Sequence, residues 1–143
     1  MEGTEIIAAY LADELMQGGL GVMNSDHEIH VITPMHGTGG HFIFHQNVQE
    51  KILDKNVLIV VASMSTGATI NRAAECLTYY GGNLAGIAAI FSAVSEIDGW
   101  KVNSLFTCED IPDYKFYKPF ECEICKSGRK IDAIINSEGY TKI

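Results

Sequence analysis

Ser65-Thr66-Gly67-Ala68-Thr69 places three hydroxyl side chains around one glycine, directly after an apolar run and before a segment of helical spacing. A loop that opens a helix presents unpaired backbone N–H groups and the positive end of the helix macrodipole, so it favours an anion. Gly67 lets the backbone come close to a ligand, and Ser65, Thr66 and Thr69 can add hydroxyl donors. The chemistry indicated is phosphate binding. An ordinary cap and turn would use the same residue types, so spacing alone leaves both readings open.

Two other groups could carry chemistry. Cys122 and Cys125 have the spacing of half a zinc site, which Cys108 with Cys76 or a histidine would have to complete. A thioredoxin-like redox role is the weaker reading, because nothing in the sequence puts the pair at a strand-to-helix start. His36, His41 and His45 flank a Gly-rich stretch, Gly37 to Gly40, and could bind pyrophosphate or a metal. Solvated loop and strand-edge histidines would look the same. Tyr114, Phe116, Tyr117 and Phe120 are expected to cover one end of a sheet or make a dimer contact, rather than stack bases.

The elements that must position these residues follow from periodicity. Residues 4–16 read as an amphipathic helix capped by Thr4 and ended by Gly18-Gly19, with Glu2 and Glu5 facing the dipole at its start. Residues 28–33 alternate as a half-buried strand would, and 41–45 give a short strand signal. Residues 48–53 suggest a helical turn. The β-branched run 57–61 predicts a strand covered on both faces. Residues 69–80 predict a helix closed by Gly81-Gly82, and 84–91 a second continuous apolar strand. Strand, helix, strand is a βαβ unit, which implies a parallel sheet and a right-handed crossover. Residues 101–106 and 132–136 are weaker strand candidates, separated by loop.

A chain of 143 residues fits a single domain spanning 1–143, and 47% hydrophobic residues suffice for a core. The formal charge of −8 disfavours general nucleic-acid binding, which rests on Lys and Arg. No stretch reaches the roughly 20 apolar residues of a membrane helix, and the acidic start is unlike a signal peptide. The expectation is a cytoplasmic protein with reduced cysteines, no membrane partner and no nucleic-acid partner.

The segment Val57–Thr69 resembles the phosphoribosyl-pyrophosphate (PRPP) motif of type I phosphoribosyltransferases, most like the orotate phosphoribosyltransferase branch. Glu2-Gly3-Thr4 is similar to that family's pyrophosphate loop, and Val31-Ile32-Thr33-Pro34 to the strand leading to its flexible loop. Residues 84–91 resemble the strand after the motif helix, and Cys122 to Gly128 the tail of some members. The resemblance implies an α/β fold, a phosphoribosyltransferase-like Rossmann-type core with a mostly parallel sheet flanked by helices. It implies PRPP or a nucleotide 5′-phosphate at Ser65–Thr69 and Mg²⁺ if the protein is catalytic. A parallel sheet without its first strand leaves an unpaired edge or an uncovered helix face, so a homodimer with 28–45 or 114–120 in the contact is expected.

This chain departs from the pattern at several points. The family's two acidic ribose positions are Val61 and Ala62, followed by Ser63, and neither Val nor Ala can coordinate a hard cation. The flexible loop 34–41 holds no Lys or Arg, leaving His36 and His41 as candidates for the leaving charge. The position of the family's base-recognising Arg falls near Ala93, and the family's first strand and hood are not expected ahead of the first helix. The expectation is a phosphate cradle with impaired transfer chemistry. A non-catalytic nucleotide-sensing or regulatory domain on the same fold is the alternative, and a zinc-stabilised interaction domain another.

Overall fold

The computed structural model describes residues 4–17, 28–118, 120–136 and 139–143. The chain runs α1 (Thr4–Gln17), β1 (Met35–His36), β2 (Phe42–Ile43), α2 (Gln46–Gln49), β3 (Asn56–Met64), α3 (Ala68–Tyr79), β4 (Asn83–Ser92), β5 (Glu96–Ile97), β6 (Trp100–Thr107), α4 (Glu123–Lys126), β7 (Ala133–Asn136) and β8 (Gly139–Lys142). The result is a mixed α/β architecture around a four-stranded sheet of order β3-β4-β6-β5. β3, β4 and β6 are parallel, and β5 runs antiparallel to β6. Among the described residues no helix is long and apolar enough to cross a membrane.

The sheet is mixed because of how β4 is joined to β6. A parallel connection commonly takes a dozen or more residues and a helix. Here residues 93–99 do it alone, by running back beside β6 as β5. Asp98 and Gly99 then reverse the chain with φ of 48° and 82°. Two consecutive positive φ values belong to the type I′ turn that Asp-Gly favours.

Alternation along the parallel strands builds the core. Register pairs Ile59 with Ile87 and Val61 with Ala89, and Ile87 in turn with Val102. Paired residues share a face, so these side chains form one apolar surface. Ile70 of α3, together with Met64 and Ile97, closes over it. Ile70 and Ile87 are each only 1% exposed, a degree of burial that stabilises by about 1.5–3 kcal/mol per side chain. α3 ends on Gly81-Gly82 as expected: Gly81 N–H donates to the Thr78 carbonyl and Gly82 N–H to that of Leu77, which is the Schellman closure. α1 packs against β3, and its Ala12 is buried.

Three expectations are corrected. Residues 28–33 form no strand among the described residues; Thr33 hydroxyl instead donates to the Glu5 carboxylate at 3.3 Å. Alternation records one half-buried face, here Ile32 and Pro34, and does not supply a pairing strand. The strand at 41–45 shrinks to Phe42–Ile43, because Phe44 turns to pack edge-on against Tyr80 at 5.5 Å. The strand begun by 57–61 is longer than expected and lies at the sheet edge, where burial is incomplete and Leu58 remains exposed.

Candidate functional site

β3 carries the chain to Met64, residues 65–67 turn sharply, and α3 begins at Ala68. The turn depends on Gly67, whose φ of 79° is left-handed. A Cβ there would stand 2.7 Å from Ile97 Cδ1. Gly67 is therefore required by backbone conformation and by the core, before any ligand is considered. Its carbonyl accepts from Asn71 N–H at 3.0 Å and starts the helical ladder.

The amides that precede this ladder have no intrahelical acceptor. No side chain caps them, and no acidic residue lies in the first turn of α3. Both usual means of satisfying a helix start within the chain are thus absent here. Around it is a cleft of about 150 Å³, lined by Ser63 to Ile70 and by Tyr114. Among the described residues the hydroxyls of Ser63, Ser65, Thr66 and Thr69 have no hydrogen-bond partner in the protein. Thr66 and Thr69 are exposed and Ser65 half-buried, so all three are open to a ligand. The predicted residues Ser65, Thr66, Gly67, Ala68 and Thr69 all line the cleft, and so does Ser63.

The cleft lies where β3 ends, on the carboxyl side of the parallel strands, the usual ligand position in such sheets. The other loops on that side are tied down. Ser92 hydroxyl donates to the Val94 carbonyl at 2.6 Å, and Ala93 N–H to Met64 at 3.0 Å. The Asp110 carboxylate accepts from Thr107 N–H at 2.8 Å and from its hydroxyl at 3.1 Å. Tyr114 stands edge-on to Phe91 at 4.8 Å and forms one wall of the cleft. The aromatic run after β6 thus covers a sheet end through Tyr114, whereas Phe120 is 97% exposed. That Tyr114 would reach the cleft was not legible in the run itself.

Val61 is buried in the core, with Ala62 half-buried next to it. Neither side chain has a donor for a cation, so these positions do not fit Mg²⁺. Glu2 and Gly3 lie outside the described residues. Thr4 is buried at the start of α1. His36 stacks obliquely on Phe42, ring centroids 5.1 Å apart. His41 lines a separate cavity of about 430 Å³ between β2 and α3, and neither histidine lines the cleft. That second cavity contains Arg72, whose Nη1 lies so close over Gly40 that a Cβ there would be at 2.7 Å. The stretch 34–41 lacks Lys and Arg in sequence, yet the fold brings it a guanidinium from α3.

Cys122 and Cys125 share one turn, where Cys125 N–H donates to Cys122 Sγ at 3.4 Å. Cys76 is buried and its thiol donates to the Phe42 carbonyl at 3.2 Å; burial pushes its pKa up. Cys108 contacts the Ala93 carbonyl at 3.8 Å. Among the described residues no three His, Cys, Asp or Glu side chains come together as a metal set.

No protein-family model matches the chain, and no curated protein matches it.

Proposed function

We propose that the protein binds a phosphorylated ribose compound, PRPP or a nucleotide 5′-phosphate, at the Ser63–Ile70 cleft, on a phosphoribosyltransferase-like core. The observation that carries the reading is an uncapped helix start inside a concave site, ringed by hydroxyls without partners. A phosphate would accept from those amides and hydroxyls at once, and the dipole adds about 0.3–1 kcal/mol in an exposed setting. A volume of about 150 Å³ is below the roughly 300 Å³ of ordinary small-molecule pockets. It suits a phosphate or ribose phosphate, with any base directed outward past Tyr114.

Transfer chemistry has less support. The ribose positions offer Val61 and Ala62, and Arg72, which lies over Gly40, lines a different cavity. The reading is therefore a ligand-binding protein with little or no turnover.

The test is calorimetry with PRPP and with nucleoside monophosphates. Thr66→Val with Thr69→Val should weaken binding at least about tenfold, near 1.4 kcal/mol, without lowering the unfolding midpoint, because both side chains are exposed. Unchanged affinity in the double variant would remove the cleft from consideration. Steady turnover of orotate and PRPP, abolished by the same substitutions, would restore the enzyme reading.

A further inference from the structure

We propose that Cys122 and Cys125 form a thiol–disulfide exchange site that reacts with low-molecular-weight disulfides and closes to an intramolecular disulfide. Cys122 is the cap of α4, and its sulfur accepts the Cys125 amide at 3.4 Å. Residues three apart on a helical turn have Cβ atoms about 5–6 Å apart, which a small adjustment brings to the roughly 3.5–4.5 Å of a disulfide.

The turn is held by its own backbone. Lys126 N–H donates to the Cys122 carbonyl, Gly128 N–H to Cys125 and Arg129 N–H to Ile124. The last two bonds are a second Schellman closure, with Gly128 at φ 76°. The pair is therefore placed by local hydrogen bonds. It is also reachable, since Cys125 is exposed and Cys122 half-buried.

The two thiols are unlike. The Cys125 amide and then the Cys125 thiol hold Cys122 below its ordinary pKa, with Lys126 adding a smaller pull. The same hydrogen bond and the charge on Cys122 raise Cys125. Cys122 is thus the attacking group and Cys125 the resolving one. The Cys122 thiolate attacks one sulfur of a disulfide RSSR, the S–S bond breaks, and RS⁻ leaves to take a proton from solvent. Cys125 gives its proton to solvent, and its thiolate attacks the Cys122 sulfur of the mixed disulfide. The second RS⁻ leaves. Two protein thiols are oxidised and one disulfide is reduced to two thiols.

A redox role for the pair is the weaker expectation from sequence, where no strand-to-helix start is apparent. The missing sign was a preceding strand; the capped turn supplies the placement without one.

The experiment incubates the full-length reduced protein with oxidised glutathione, quenches by alkylation, and maps all four cysteines by mass spectrometry. The expected product is a Cys122–Cys125 disulfide, with Cys76 and Cys108 still alkylated. Cys125→Ser should stop the reaction at a glutathione adduct on Cys122. Cys122→Ser should slow adduct formation at Cys125 by about tenfold relative to Cys122 in the reciprocal variant. Far-UV circular dichroism checks that both variants fold. Adducts forming as fast at Cys108 as at Cys122, or a wild type that stops at the mixed disulfide, would overturn the proposal. So would purified protein carrying stoichiometric zinc that blocks both thiols.

Discussion

The Ser63–Ile70 cleft and the Cys122–Cys125 turn are both placed at helix starts, yet they are held in opposite ways. The cleft is set by residues distant in sequence: Ile97 against Gly67, Tyr114 against Phe91, Ala93 bonded to Met64. The cysteine turn is set within residues 122–129 by its own amides. Among the described residues the β7–β8 hairpin that follows pairs only with itself, and its Ile135 and Tyr140 are exposed. A site built on long-range packing inherits the stability of the core. A site built on a local turn does not need the core.

The largest expected effect separates these regions by stability. Ile87→Ala, at a residue buried between β3 and β6, should cost about 2–5 kcal/mol. Ile135→Ala, on the exposed hairpin, should stay within about 0.5 kcal/mol. Urea unfolding of both variants checks the contrast, and equal losses would show that the hairpin is packed in solution.

A smaller effect compares two glycines of the same backbone class. Gly99→Ala meets nothing within 4 Å, so it should cost only the left-handed strain, about 1–2 kcal/mol. Gly67→Ala adds the collision with Ile97 and should cost about 1–3 kcal/mol more. Shortening the obstructing side chain, Ile97→Val, should recover part of that difference. If the two glycine variants are equally stable, Ile97 does not support the cleft.

The smallest expected effect is that of Mg²⁺. Val61 and Ala62 offer no oxygen ligand beside the cleft, so under the proposed function its addition should change PRPP affinity by less than about tenfold, or 1.4 kcal/mol. A larger change in calorimetry would mean that a carboxylate reaches the cleft. Asp110 is engaged by Thr107, so Glu109 would be the residue to substitute first.

The strand–loop–helix–strand centre of the fold was legible because each apolar run there is both a propensity signal and a core face. Residues 57–61 and 84–91 lie within β3 and β4, and 69–80 matches α3 to within one residue at each end. The turn at Ser65–Gly67 was legible as a strand-to-helix junction for the same reason, since Gly67 and its hydroxyl neighbours sit between two strong signals. The segment 28–33 misled because its pattern reports burial of one side, while pairing depends on which strand lies next to it. The reverse course of residues 93–99 did leave a sign in Asp98-Gly99, flanked by Glu96-Ile97 and Trp100-Lys101. Tyr114 at the cleft and Arg72 beside the 34–41 turn carry no such sign. Their positions follow only from how loop and helix pack in three dimensions.

The Asp98-Gly99 turn also gives the sheet an order of assembly. β5 and β6 are neighbours in the chain, and a two-residue hairpin closes in about 1–10 µs. β3 and β4 can pair only after the segment carrying α3 has been looped between them, and such non-local pairing is slow. The sheet therefore has a fast edge and a slow middle, and Ile97 is in place on the fast edge before Gly67 has to close against it. In stopped-flow measurements the Gly99→Ala variant would report this order as slower refolding with little change in the unfolding rate. The Ser63–Ile70 cleft would then be among the last features of the molecule to form, assembled against a wall that is already standing.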